Sequence, residues 1–107
     1  MANYYWNGHK VEHALIADVT TQAAQVSAVA DKQILVLGYT LSLDAVGEVL
    51  WESASDNLTG LIEVAADTPL VVGYGGVPVL ECATAEALNL TGTTAANGHL
   101  SYVVVDP

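Results

Sequence analysis

The chain is poor in positive charge. It carries 2 basic residues, Lys10 and Lys32, against 12 acidic ones, a formal net charge of -10 over 107 residues. Nucleic-acid binding requires a cationic surface that displaces phosphate counterions, so that class of partner is excluded. The same charge would be repelled by an anionic membrane. No apolar run approaches the ~20 residues of a membrane-spanning helix. Residues 1–18 lack the basic start and unbroken apolar stretch of a signal peptide, so synthesis in the cytoplasm is expected. The sequons at Asn57 and Asn89 then read as coincidence. Cys82 is the single cysteine, so no intrachain disulfide can form. Phenylalanine is absent.

What is present is apolar and suited to strands. Hydrophobic residues make up 52% of the chain, with valine, threonine, leucine and alanine prominent. A domain of this size buries only about 60–65% of its unfolded surface. The apolar excess is therefore expected to face another subunit.

Turn residues divide the chain at intervals of about ten residues. Residues 13–18 suit a short strand, and residues 19–30 are read as extended. Residues 33–43 hold Ile34, Val36, Leu41 and Leu43 amid β-branched and aromatic neighbours, and Gly38 interrupts the run, marking a bulge or bend. Residues 48–53 place Val49 and Trp51 on one face, and Glu48, Leu50 and Glu52 on the other. Residues 58–65, 70–73, 77–82 and 86–91 follow as strands. Asn97-Gly98 reads as a hairpin turn. Residues 99–105 then put Leu100, Tyr102 and Val104 on one face. The expected fold is all-β, a small antiparallel β-sandwich or jelly-roll-like barrel. Residues 13–107 would form it, preceded by an N-terminal arm over residues 1–12.

Chemically competent clusters are scarce. His9 and His13 are four apart, but Asn7-Gly8 is a turn signal that opposes a helix there, and no Glu or Cys completes a motif such as HExxH. His99 stands far away in sequence. No metal ligand set and no cofactor is expected. Glu48 and Glu52 share a strand face and read as ordinary solvated charges rather than a catalytic pair. Cys82 lies beside acidic Glu81, which opposes thiolate formation, so it reads as a small buried hydrophobe. Gly73, Gly75 and Gly76 lack the lysine of a phosphate loop and suit a connection with positive φ.

The aromatic run Tyr4-Tyr5-Trp6 is different. Three consecutive rings cannot all face one way on a strand, as a sugar platform would need. A docking arm fits better, with Tyr4, Tyr5, Trp6 and Lys10 as its contacts to a protein partner. Deleting residues 1–12 is then expected to leave the domain folded. Trp51, Val49, Tyr102 and Leu100 are the candidates for core or subunit interface.

Several segments resemble a known family. They are ADKQILVLGYTLSL (30–43), WESAS (51–55), LTGLIEVA (58–65), TAEALNL (84–90) and GHLSYVVV (98–105). Together they are similar to small bacteriophage head decoration, or cement, proteins over residues 30–105. That resemblance implies a β-sandwich or barrel that trimerises on the outer capsid surface and binds the major capsid protein. It implies a virion location and no catalytic residues. Similar small sandwiches serve as fibre tips and tail adaptors, so a carbohydrate- or receptor-binding fibre domain is the second reading. A small jelly-roll enzyme is the third. A trimer of the 11.1 kDa chain should elute at about 33 kDa in size exclusion coupled to light scattering. A clean monomer at micromolar concentration would contradict it.

Overall fold

A computed structural model describes residues 3–73 and 75–107. Within them the chain forms strands and no helix. They are β1 (Tyr5–Trp6), β2 (His9–Lys10), β3 (Glu12–Val19), β4 (Ala23–Val26), β5 (Gln33–Leu43) and β6 (Gly47–Ser53). Then come β7 (Asp56–Asn57), β8 (Ile62–Val64), β9 (Leu70–Gly73), β10 (Leu80–Glu81), β11 (Leu88–Gly92) and β12 (Ala96–Val105). The β1–β2 pair is a hairpin of its own.

The other strands build two antiparallel sheets. One runs β3-β12-β5, and the far edge of β5 is shared by β9 and β10 end to end. The second runs β4-β11-β6, and the far edge of β6 is shared by β8 and β7 in the same way. The chain crosses between sheets at every step from β3 to β12, except where β6 continues into β7 and β8 and where β9 continues into β10. This strand order is that of a jelly roll. The expected all-β antiparallel sandwich is the fold.

The core lies between the sheets, where the inward-facing residues of their strands meet. Val49 and Trp51 of β6, with Leu88 and Leu90 of β11, face Ile34, Val36, Tyr39, Leu41 and Leu43 of β5. Tyr39 and Trp51 meet across the gap with ring centroids 5.0 Å apart and planes tilted by 55°. Leu100 and Tyr102 of β12 pack on the same core. Trp51, Val49 and Leu100 have no exposed surface, and Tyr102 is half-buried.

The Gly38 signal corresponds to a real bulge. Ser101 pairs with Gly38, but Tyr102 pairs with Val36, so Leu37 is the extra residue on β5. Ile34 and Val36 point inward before it, and Tyr39, Leu41 and Leu43 after it. Leu37 itself turns outward.

Other expectations need correction. Asn97-Gly98 is no turn: both residues lie inside β12, paired with Ser42 and Leu41. A Cβ on Gly98 would come within 1.9 Å of the Thr40 carbonyl oxygen. That glycine thus serves close strand approach, and the Asn97 side chain accepts the Asp18 N–H at 3.0 Å. The reversal falls at residues 93–95, where the Thr93 hydroxyl accepts the Glu48 N–H. Of residues 19–30, only Val19, which ends β3, and the four residues of β4 are strand. Residues 58–65 and 77–82 shorten to β8 and β10. Each of these two needs to cover only half of an edge.

The exposed surface is 5655 Å², close to the ~5,700 Å² of a compact monomer of this mass. Total area therefore carries no sign of an apolar excess. The high hydrophobic fraction counts many alanines, whose side chains add little area. What bears on association is where large apolar groups stay outside, such as Leu15 at 81% exposure on edge strand β3 and Val71 on β9.

Trp51→Ala should destabilise the fold by roughly 3–5 kcal/mol, since it removes a fully buried ring from between the sheets. Chemical denaturation would read this, and an unchanged midpoint would contradict the packing.

Candidate functional site

The N-terminal aromatic run folds back as a hairpin. Asn7 and Gly8 form its two-residue turn with φ of 46° and 79°, the left-handed pair that a tight hairpin loop demands. Tyr5 pairs with Lys10 and Trp6 with His9. The Val11 N–H continues the ladder to the Tyr4 carbonyl at 2.7 Å.

The hairpin lies on the outer face of the β5 sheet. Trp6 and Val11 pack on Leu35, Leu37, Val103 and Val105, which form a second, smaller apolar cluster. The Trp6 Nε1–H donates to the Gly76 carbonyl at 2.8 Å, tying the hairpin to the β9–β10 connection. The sequence-based expectation that residues 1–12 can be deleted without harm therefore changes. Removing Trp6 and Val11 would uncover the outer cluster.

The four candidate contacts separate in this geometry. Trp6 is a half-buried clamp, whereas Tyr4 and Tyr5 are 66% and 63% exposed. Lys10 is exposed, with Nζ 3.8 Å from Glu12 Oε1. A groove of about 420 Å³ opens beside the hairpin, lined by Tyr4, Tyr5, Trp6, Val11, Leu37, Gly76 and Ser101. Ser101 is buried, and its hydroxyl lies 3.0 Å from His13 Nδ1. The lining of Leu37 and Ser101 depends on the bulge in β5 and was not legible in the sequence. A residue turned outward by a bulge keeps its apolar identity, so alternation alone assigns it to the core.

The four core candidates sit inside the sandwich. The Trp51 Nε1–H is buried without an acceptor among the described residues. Burial pushes the Tyr39 hydroxyl above its ordinary value, and the adjacent Trp51 indole opposes this only in part. Burial also raises Tyr102, and the Glu12 carboxylate adds to it.

The remaining chemical candidates are dispersed or engaged. His9 lies on β2 and His13 on β3, not on one helical face. His99 is nearer to His13 than sequence distance suggests: it pairs with Leu15 on the strand beside it. Among the described residues, no three His, Cys, Asp or Glu side chains gather to hold a metal ion. Glu48 and Glu52 are not an equivalent solvated pair. Glu52 is only 8% exposed, and it accepts hydrogen bonds from Gln22 Nε2 at 2.9 Å and from the Thr91 hydroxyl. Glu48 faces Glu63 across the strand pair. Cys82 is buried. Burial pushes its thiol up; a Ser53 hydrogen bond opposes this, and the Glu86 charge adds to it. Gly73 and Gly76 adopt the positive φ expected of them. At Gly73 a Cβ would also meet the Leu37 carbonyl at 2.6 Å.

No protein-family model matches this chain, and no curated protein or solved structure matches it significantly.

Trp6→Ala should destabilise the fold by about 2 kcal/mol, less than the loss at Trp51 because the ring is only half-buried. Tyr4→Ala and Tyr5→Ala should each stay within about 0.5 kcal/mol of the parent, as exposed positions do. Denaturation midpoints of the three variants test this. Equal losses at all three would mean that the tyrosines also hold the hairpin down.

Proposed function

We propose that this chain is a non-enzymatic phage virion protein that decorates and reinforces the outer capsid as a homotrimer. It docks on the major capsid protein through the N-terminal hairpin. The observation that carries the reading is the division of labour within the aromatic run. Trp6 clamps the hairpin to the sheet, and Tyr4 and Tyr5 are left facing solvent on a rigid support. Exposed tyrosines held in place are the residue type that dominates interface energy, and pre-ordering lowers the entropy lost on docking. The strand segments that resemble decoration proteins support the same reading. So does the acidic surface, which keeps densely displayed copies from adhering to each other and to nucleic acid. Three copies acting together would let each contact be weak.

A fibre or tail-tip receptor-binding domain is the second reading, and the aromatic groove favours it. Copy number separates the two, because decoration requires many copies over the shell and a fibre few at a vertex or tail.

The test uses the double variant Tyr4→Ala/Tyr5→Ala, whose fold should be intact. Co-sedimentation with bare capsids should show a large loss of occupancy relative to the parent protein. Parental occupancy would place docking on another surface of the sandwich.

A further inference from the structure

We propose that the aromatic groove beside the hairpin receives a basic side chain, arginine or lysine, presented by the protein partner. The proposal rests on the docking role given to the hairpin above and adds the chemistry of the contact. Three aromatic residues, Tyr4, Tyr5 and Trp6, line the groove, and among the described residues no charged one does. The faces of tyrosine and tryptophan carry negative quadrupolar potential and attract organic cations, most strongly where water is excluded.

Charge over the whole chain points the same way. The net charge is -10. Both lysines are already engaged by carboxylates, Lys10 by Glu12 and Lys32 by Asp106. Lys10 shares the hairpin pair with Tyr5, but its ammonium is directed to Glu12 and is not part of the groove lining. An incoming cation therefore meets an attractive field and, among the described residues, no cationic side chain in the groove lining, whereas an acidic side chain would be repelled.

Two polar groups suit the donors of such a side chain. The Gly76 carbonyl accepts one hydrogen bond from Trp6 Nε1 and keeps a second lone pair. The Ser101 hydroxyl oxygen, held beside His13 Nδ1, offers another acceptor. Val11 and Leu37 supply the apolar floor against which an aliphatic stem packs.

The experiment titrates the full chain with blocked tripeptides, Gly-Arg-Gly and its citrulline counterpart, which has the same shape without the charge. Norleucine and glutamate counterparts and methyl glucoside complete the series. The readout is proton and nitrogen chemical shifts at the Trp6 indole and the tyrosine rings. The arginine peptide should shift these signals and bind at least about fivefold more tightly than the citrulline peptide, the size of one cation–aromatic contact. Tyr5→Leu should lose a similar factor with an unchanged melting temperature. Equal binding of citrulline or norleucine would overturn the proposal. So would preference for methyl glucoside, shifts confined to the acidic face around Glu48 and Glu63, or no shift at millimolar arginine peptide. Capsid binding that persists without arginine binding would sink this inference alone. Arginine binding without capsid binding would sink the docking role alone.

Discussion

One extra residue in β5 organises the molecule. Strict alternation along residues 33–43 would carry Tyr39, Leu41 and Leu43 to the same side as Leu35. Leu37, unpaired opposite β12, resets the phase. The inner face then keeps five large side chains from one strand, and Tyr39 reaches Trp51. The outer face receives Leu35 and Leu37, which would otherwise lie bare to water. Those two residues, with Val103 and Val105 of β12, are what the N-terminal hairpin covers. One bulge therefore supports both the sandwich core and the platform for the aromatic site.

The hairpin is cheap in residues and effective as a support. A two-stranded hairpin alone is marginal in water. Here the Trp6 and Val11 side chains pack on the β5–β12 platform, and the Trp6 hydrogen bond to Gly76 ties the hairpin to the β9–β10 connection. The rigid placement of Tyr4 and Tyr5 is thus a product of tertiary packing, not of local strand propensity. The Asn7-Gly8 turn sets the register that puts Trp6 toward the sheet.

The acidic surface is arranged rather than scattered. Glu52 is tied down by Gln22 and Thr91, joining the β3–β4 connection to β6 and β11. The Ser53 hydroxyl donates to Glu86 Oε1 at 2.6 Å and accepts the Ala83 N–H at 2.9 Å, fastening the approach to β11. These bonds satisfy polar groups that lie at the sheet margin, where an unpaired one would be costly. Half-buried Glu48 and exposed Glu63 instead oppose each other across the strand pair, where water reaches them and screens the repulsion in part. Lys32 meets Asp106 near the C-terminus and holds that exposed carboxyl below its usual range.

Much of the architecture could be read along the chain. The β-branched and aromatic composition of residues 33–43 located β5, and alternation in residues 48–53, 86–91 and 99–105 located β6, β11 and β12 and placed Trp51, Val49 and Leu100 on apolar faces that are buried. Gly38 marked the bulge, and Asn7-Gly8 marked a turn. These signals are local: they depend on the period of the strand and on the dihedral freedom of single residues. Asn97-Gly98 misled because a glycine that admits a turn equally admits a neighbouring backbone, and the Thr40 carbonyl occupies the space a Cβ would need. Glu52 misled because its burial depends on Gln22 and Thr91, 30 and 39 residues away. The groove needed residues from β1, β5, β12 and the β9–β10 connection at once. No local pattern encodes such an assembly, since it exists only when the two sheets close and the hairpin lands on the outer face.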